Sequence, residues 1–140
     1  MKFITRRLAR LCALQALYSW QFSKNDLIEI ENYIVSIQNI QNFDISYFRE
    51  LYIGVINCIS DLDKLMIPYL FRDLKTIGYV EYSVLLIALF ELTQCYDIPY
   101  KVVMNEAIEL AKIFGSEKSY KFINGVLNKI VTEKLFIPIK

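Results

Sequence analysis

The 140-residue sequence contains no histidine. That absence removes the commonest general base at neutral pH, the usual Ser-His-Asp arrangement and most zinc chemistry. Glycine (4) and proline (3) are scarce, which argues against a turn-rich β fold and against disorder, and favours long helices. Gly54, Gly78, Gly115 and Gly125 stand alone and form no phosphate-cradling loop. Cys12, Cys58 and Cys95 are odd in number and lack C-x-x-C spacing, so neither bridges nor a zinc site are expected, and a reducing compartment fits. The longest strongly apolar run, Val84 to Phe90, is far short of the ~20 residues that span a bilayer. Arginines interrupt the N-terminal apolar stretch, unlike a secretory signal. The expectation is a cytoplasmic protein with no membrane role, no metal, no cofactor and no catalytic activity.

What is present points to one helical domain. Apolar residues make up 55% of the chain and mean hydropathy is +0.32, ample for a core in a chain of single-domain length. Periodicity and capping residues predict an all-α fold of about seven helices. They cover roughly 5–22, with Thr5 as N-cap, 26–37 and 44–59, capped by Asp26 and Asp44, and 61–70, tilted or ended by Pro68. Three more cover 80–95, 99–114, opened by Pro99 and closed by Gly115, and 116–134, capped by Ser116. A polar break is expected at Asn39 to Asn42 and a loose tail from Phe136 to Lys140. The interruption near Gly78 divides one domain, 1–140, into two packed helical halves, 1–77 and 78–140.

Net charge is only +1, but its distribution is uneven. Lys2, Arg6, Arg7, Arg10 and Lys24 precede any acid; seven acids face one cation, Arg49, between Asp26 and Asp63; six lysines lie from Lys112 onward. Basic ends around an acidic middle suggest an anionic partner and a second, basic one. On the first helix, Arg6, Arg7 and Arg10 share a sector about 100° wide with no acidic neighbour in sequence. Cations at a helix N-terminus oppose its dipole, so local stability does not account for them, whereas phosphate does. On the last helix Lys118, Lys121, Phe122, Gly125 and Lys129 project away from the core stripe of Ile123, Val126, Leu127 and Ile130. An aromatic among cations suits single-stranded RNA; burial of Phe122 under a neighbouring helix is the competing reading. The acid pairs Asp61/Asp63 and Glu106/Glu109 read as caps or solvated helix faces.

Four segments carry a resemblance. RRLARLCALQALYSWQF (Arg6 to Phe22), VLLIALFEL (Val84 to Leu92), DIPYKVVMNEAIELAKIFG (Asp97 to Gly115) and KFINGVLNKI (Lys121 to Ile130) resemble, in the same order, the NusB family of bacterial antitermination factors. The resemblance implies an all-helical, non-catalytic protein that binds boxA RNA with ribosomal protein S10 (NusE). Within an RNA polymerase antitermination complex it would support transcription of ribosomal RNA operons. It implies RNA contacts from the N-terminal basic segment, here Arg6, Arg7 and Arg10, and from Phe122; Lys2, Lys118 and Lys121 are expected to join them on their charge and position alone. It places Tyr18, with Phe22 and Glu81, at the S10 surface. Family members occur as monomers and as homodimers. Leu8 and Leu11 replace polar residues usual in the family, and Leu86 an arginine that would form a buried ion pair. Two rival readings are a stand-alone relative of the NusB-like domain of ribosomal RNA cytosine methyltransferases, against which the short length speaks, and a helical adaptor without an RNA role.

Overall fold

A computed structural model describes residues 2–23, 26–37, 43–95 and 97–134, with the side chains of 2–5 and of residue 134 excepted. The elements are α1 (Lys2–Ser23), α2 (Leu27–Ile37), α3 (Ile45–Asn57), α4 (Ile59–Leu70), a 3₁₀ turn (Leu74–Thr76), α5 (Tyr79–Gln94), α6 (Tyr100–Phe114) and α7 (Glu117–Lys134). The fold is all-α, as expected. The polar break at Asn39 to Asn42 and the tail from Phe136 lie outside the described residues.

The capping residues act as their chemistry dictates. Asp26 accepts the Ile28 amide at 3.0 Å and Asp44 the Tyr47 amide at 3.0 Å, while Ser116 Oγ accepts the Ser119 amide at 3.2 Å. Each satisfies a donor that helix geometry leaves orphaned. Thr5 is not an N-cap, because α1 begins three residues earlier, at Lys2. Pro68 sits inside α4, which nevertheless runs on to Leu70.

α5 is the axis of the fold. Every residue from Ser83 to Leu92 is buried, the pattern of a helix enclosed on all sides. It packs against α1 and α3 from before the Gly78 interruption and against α6 and α7 from after it, so the two halves share one core. Fully burying each of Leu85, Ile87, Leu89 and Leu92 contributes ~1.5–3 kcal/mol. Leu86 is buried among them, filling apolar space where the resemblance places an arginine. Close approach is arranged by small residues. Ala9, Ala13 and Ala16 are buried on α1, and a Cβ added at Gly54 of α3 would overlap the Phe90 ring of α5. Among the described residues no helix is long and apolar enough to cross a membrane.

Candidate nucleic-acid interface

The three arginines of α1 do not share one fate. Arg10 is 3% exposed; its Nε donates to Glu91 at 2.8 Å and a second nitrogen to Glu106 at 3.4 Å. Tyr47 donates its hydroxyl to the same Glu91 carboxylate. Burial pushes the Glu91 carboxyl up from its ordinary range, and Arg10 and Tyr47 pull it back. Arg7 grips Glu106 with a two-nitrogen fork at 3.0 and 2.6 Å, the bidentate geometry for which guanidinium is suited. Arg6 meets Asp97 at 3.0 Å and lies over the Tyr47 ring, 4.5 Å from its centroid. The expectation of an exposed sector without acidic partners is therefore corrected. The partners arrive from α5, α6 and the connection between them, and Arg10 is sealed in the core. Arg7 keeps a side chain 46% exposed, and Arg6 a smaller open fraction. The side chain of Lys2 lies outside the described residues.

One member of each acid pair is corrected with them, while Asp61 stays exposed in the first turn of α4 and Glu109 keeps a partly exposed side chain, as expected. Glu106 is a buried anion holding two arginines rather than part of a solvated face, and Asp63 accepts the Tyr82 hydroxyl at 2.6 Å, joining α4 to α5. Burial pushes Asp63 up from the usual carboxylate range. The cysteines are inert for a similar reason: burial pushes the Cys12 thiol up to about 11 and Cys95 up to about 12, so both stay protonated at neutral pH.

α7 presents a different surface. Lys118, Phe122, Gly125 and Lys129 fall on one face at helical spacing. Lys118, Gly125 and Lys129 are exposed and Phe122 is half-buried. The two readings of Phe122 thus meet half-way: one side packs on the core, and Arg72 lies over the ring, 4.5 Å from its centroid. A Cβ added at Gly125 would meet nothing within 4 Å, so the backbone beside Phe122 is open. Lys121, at the border of this face, pairs with Glu117 at 2.9 Å, an exposed contact of small energy.

The predicted partner residues form a separate, apolar surface. Tyr18, Phe22 and Tyr79 are exposed and pack ring on ring, with centroids 4.8 Å (Tyr18–Phe22) and 4.3 Å (Phe22–Tyr79) apart. A groove of about 470 Å³ adjoins them, floored by Leu14 and Ile34 and flanked by Tyr33 and Phe114. Clustered exposed aromatics are the residue type that anchors protein interfaces. Glu81 lies apart from the three rings in its bonding: half-buried, it accepts the Ser119 hydroxyl and so links α5 to α7. Tyr79 escaped sequence reasoning because it stands at a helix start, where periodicity says least.

The comparisons with known proteins fit this arrangement. The sequence matches the NusB family over residues 7–132. The chain belongs to the NusB family. The transcription antitermination protein NusB of Blochmanniella floridana is 76% identical over 136 residues, covering 97% of this chain and 99% of that protein. Among solved structures, T. maritima NusB is 34% identical with a TM-score of 0.79, covering 91% of each chain. A crystal structure of antitermination factors NusB and NusE in complex with dsRNA is 26% identical with a TM-score of 0.81, covering 92% of this chain and 97% of that one. Leu8 and Leu11, with Leu110 and Ile113, line a groove of about 330 Å³ between α1 and α6, bordered by Arg7, Glu106 and Glu109.

Proposed function

We propose that this chain is a cytoplasmic, non-catalytic transcription antitermination factor. It acts as a single domain that binds boxA-type RNA together with ribosomal protein S10 within the RNA polymerase antitermination complex. Membership of the NusB family across residues 7–132 carries the reading, and the NusB–NusE–dsRNA complex is a fold-level precedent for both partners. The α7 face supports the RNA part, since it offers an aromatic under a guanidinium beside open backbone and unburied lysines. Arg7 and, less openly, Arg6 are assigned to phosphate; Arg10 is assigned to the core. Tyr18, Phe22 and Tyr79 are assigned to S10, whose basic character would also suit the acidic segment between Asp26 and Asp63. The absence of histidine and the buried, protonated thiols support a non-catalytic role. Gel filtration of the chain with S10 and a short boxA RNA tests the proposal: co-elution of all three is expected, and separate elution of RNA would refute it. Tyr18→Asp should weaken S10 binding more than RNA binding by the chain alone, with the melting temperature unchanged.

One observation favours a second reading, an adaptor that binds protein alone. The arginines of α1 already have carboxylate partners, while the Tyr18–Phe22–Tyr79 cluster is open. Under that reading the chain elutes with S10 and leaves RNA behind.

A further inference from the structure

α4 ends in an unusual way. The helix closes at Leu70, and the next residue, Phe71, takes a left-handed backbone conformation with φ 59° and ψ 21°. Glycine takes this helix-ending conformation without steric penalty, and a bulky side chain does not. The strain is not repaid by burial, because Phe71 is 76% exposed while Tyr69 and Leu70 beside it fill the core. The left-handed turn projects the ring away from the packing that its neighbours supply. Lys129 of α7 holds its ammonium 4.0 Å from the centroid of the Phe71 ring. One residue along, Arg72 lies over Phe122 at 4.5 Å. Two rings and two cations thus cross-pair between the end of α4 and the face of α7.

The spacing is informative. Phe122 and Lys129 are seven residues apart on α7, about 10 Å along its axis, with the bare backbone of Gly125 between them. The acids nearest in sequence are already engaged. Asp73 accepts the Lys75 amide at 3.2 Å and Glu133 accepts the Tyr69 hydroxyl at 3.3 Å. Among the described residues neither Arg72 nor Lys129 forms an ion pair. The Tyr18–Phe22–Tyr79 cluster differs in this respect, its rings packing on one another rather than under cations. Aromatic rings alternating with cations that have no carboxylate partner among the described residues match the repeating chemistry of a single-stranded nucleic acid, base then phosphate.

We propose that Phe71 is a second base-stacking platform, taking an unpaired RNA base on its exposed ring, with Lys129 placed for the adjoining phosphate. The surface then runs from Phe122 and Arg72 across Gly125 to Phe71 and Lys129 and holds at least two nucleotides. This inference rests on the RNA-binding reading above and deepens it.

The test uses the full chain bound to S10 and a fluorescein-labelled boxA RNA, with abasic nucleotides substituted one position at a time. Phe71→Gly should keep or raise the melting temperature, since glycine relieves the left-handed strain. It should weaken RNA binding roughly 5- to 150-fold, the scale of one lost base stack. Phe71→Trp should restore affinity. One abasic position should reduce wild-type affinity to the Phe71→Gly level and leave Phe71→Gly itself unaffected. Wild-type affinity in Phe71→Gly, alongside a clear loss in Phe122→Ala, would overturn the second platform and leave the RNA reading standing. Loss of S10 binding instead of RNA binding in Phe71→Gly would show a protein contact and overturn it too. Absence of RNA binding by the wild-type complex would remove both readings.

Discussion

The two basic ends of the chain look alike in sequence and are used in opposite ways. The arginines of α1 turn inward, where Glu91, Glu106 and Asp97 meet them. The cations around α7 turn outward and lie over aromatic rings. The difference follows from where each segment sits. α1 packs against four other helices, α2, α3, α5 and α6, so a cation on it must find an anion or lose its hydration unrepaid. α7 covers one side of the bundle, so its outer face stays in water and its charges remain available. A basic segment is therefore a poor guide to a polyanion site until its depth in the fold is known.

The comparison can be broken most forcibly at Arg10. Arg10→Ala should cost about 3–5 kcal/mol of stability, because buried Glu91 loses its cation and Glu106 keeps only Arg7, and urea unfolding would register it. RNA affinity per folded molecule should not change. A variant of normal stability that fails to bind RNA would reverse the roles assigned to the two ends.

Phe122→Ala probes the other end. The ring is half-buried, so both readouts should move: RNA affinity by ~1–3 kcal/mol, and stability by less than the ~3–5 kcal/mol of a fully buried phenylalanine. A full-sized loss of stability with unaltered affinity would make α7 as structural as α1.

Arg7 sharpens the contrast within α1 itself. Its pairing with Glu106 is partly exposed, and Arg7→Ala should flatten the slope of log K against log salt by about 0.7. The same titration on Arg10→Ala should show the wild-type slope. Equal slopes in all three proteins would mean that neither Arg7 nor Arg10 reaches phosphate.

The smallest effect concerns Arg49, an arginine paired near the surface. Its bond to Glu31, at 2.9 Å, holds that carboxyl below its usual range, aided by the Tyr52 hydroxyl. A depressed carboxyl stabilises the fold fully above the ordinary range near ~4.3 and loses that contribution as pH falls through the lowered value. Glu31→Gln should lower the melting temperature slightly at neutral pH and flatten its decline in acid by the same small amount. An identical acid decline in wild type and variant would show that the pair contributes nothing.

Helix order was legible because its signals are local. Asp44, Pro99 and Ser116 announce helix starts within a few residues, whereas the central place of α5 emerges only from its packing against the other helices. The partners of α1 were not legible, since Glu91 and Glu106 lie 81 and 96 positions beyond Arg10 and an acid on a helix reads as solvated until its neighbours are known. Leu86 was legible in the sense that an apolar residue was expected to fill its place, and it does. Phe71 left no trace at all, because no pattern in the sequence marks a non-glycine residue for a left-handed turn. The aromatic cluster was legible in part: Tyr18 and Phe22 lie one helical turn apart on α1, whereas Tyr79 joins them only through the docking of α5.

The long reach of the arginine pairs has a consequence during synthesis. Arg7 waits for a residue 99 positions later, and at ~5–20 residues per second the wait from Arg10 to Glu91 through to Arg7 and Glu106 lasts about 4–20 s. Through that interval Arg7 and Arg10 lack the buried carboxylates that they are built around. Their pairing is complete only once residue 106 has been added, so the sixth helix closes the ion-pair network that the first one opens.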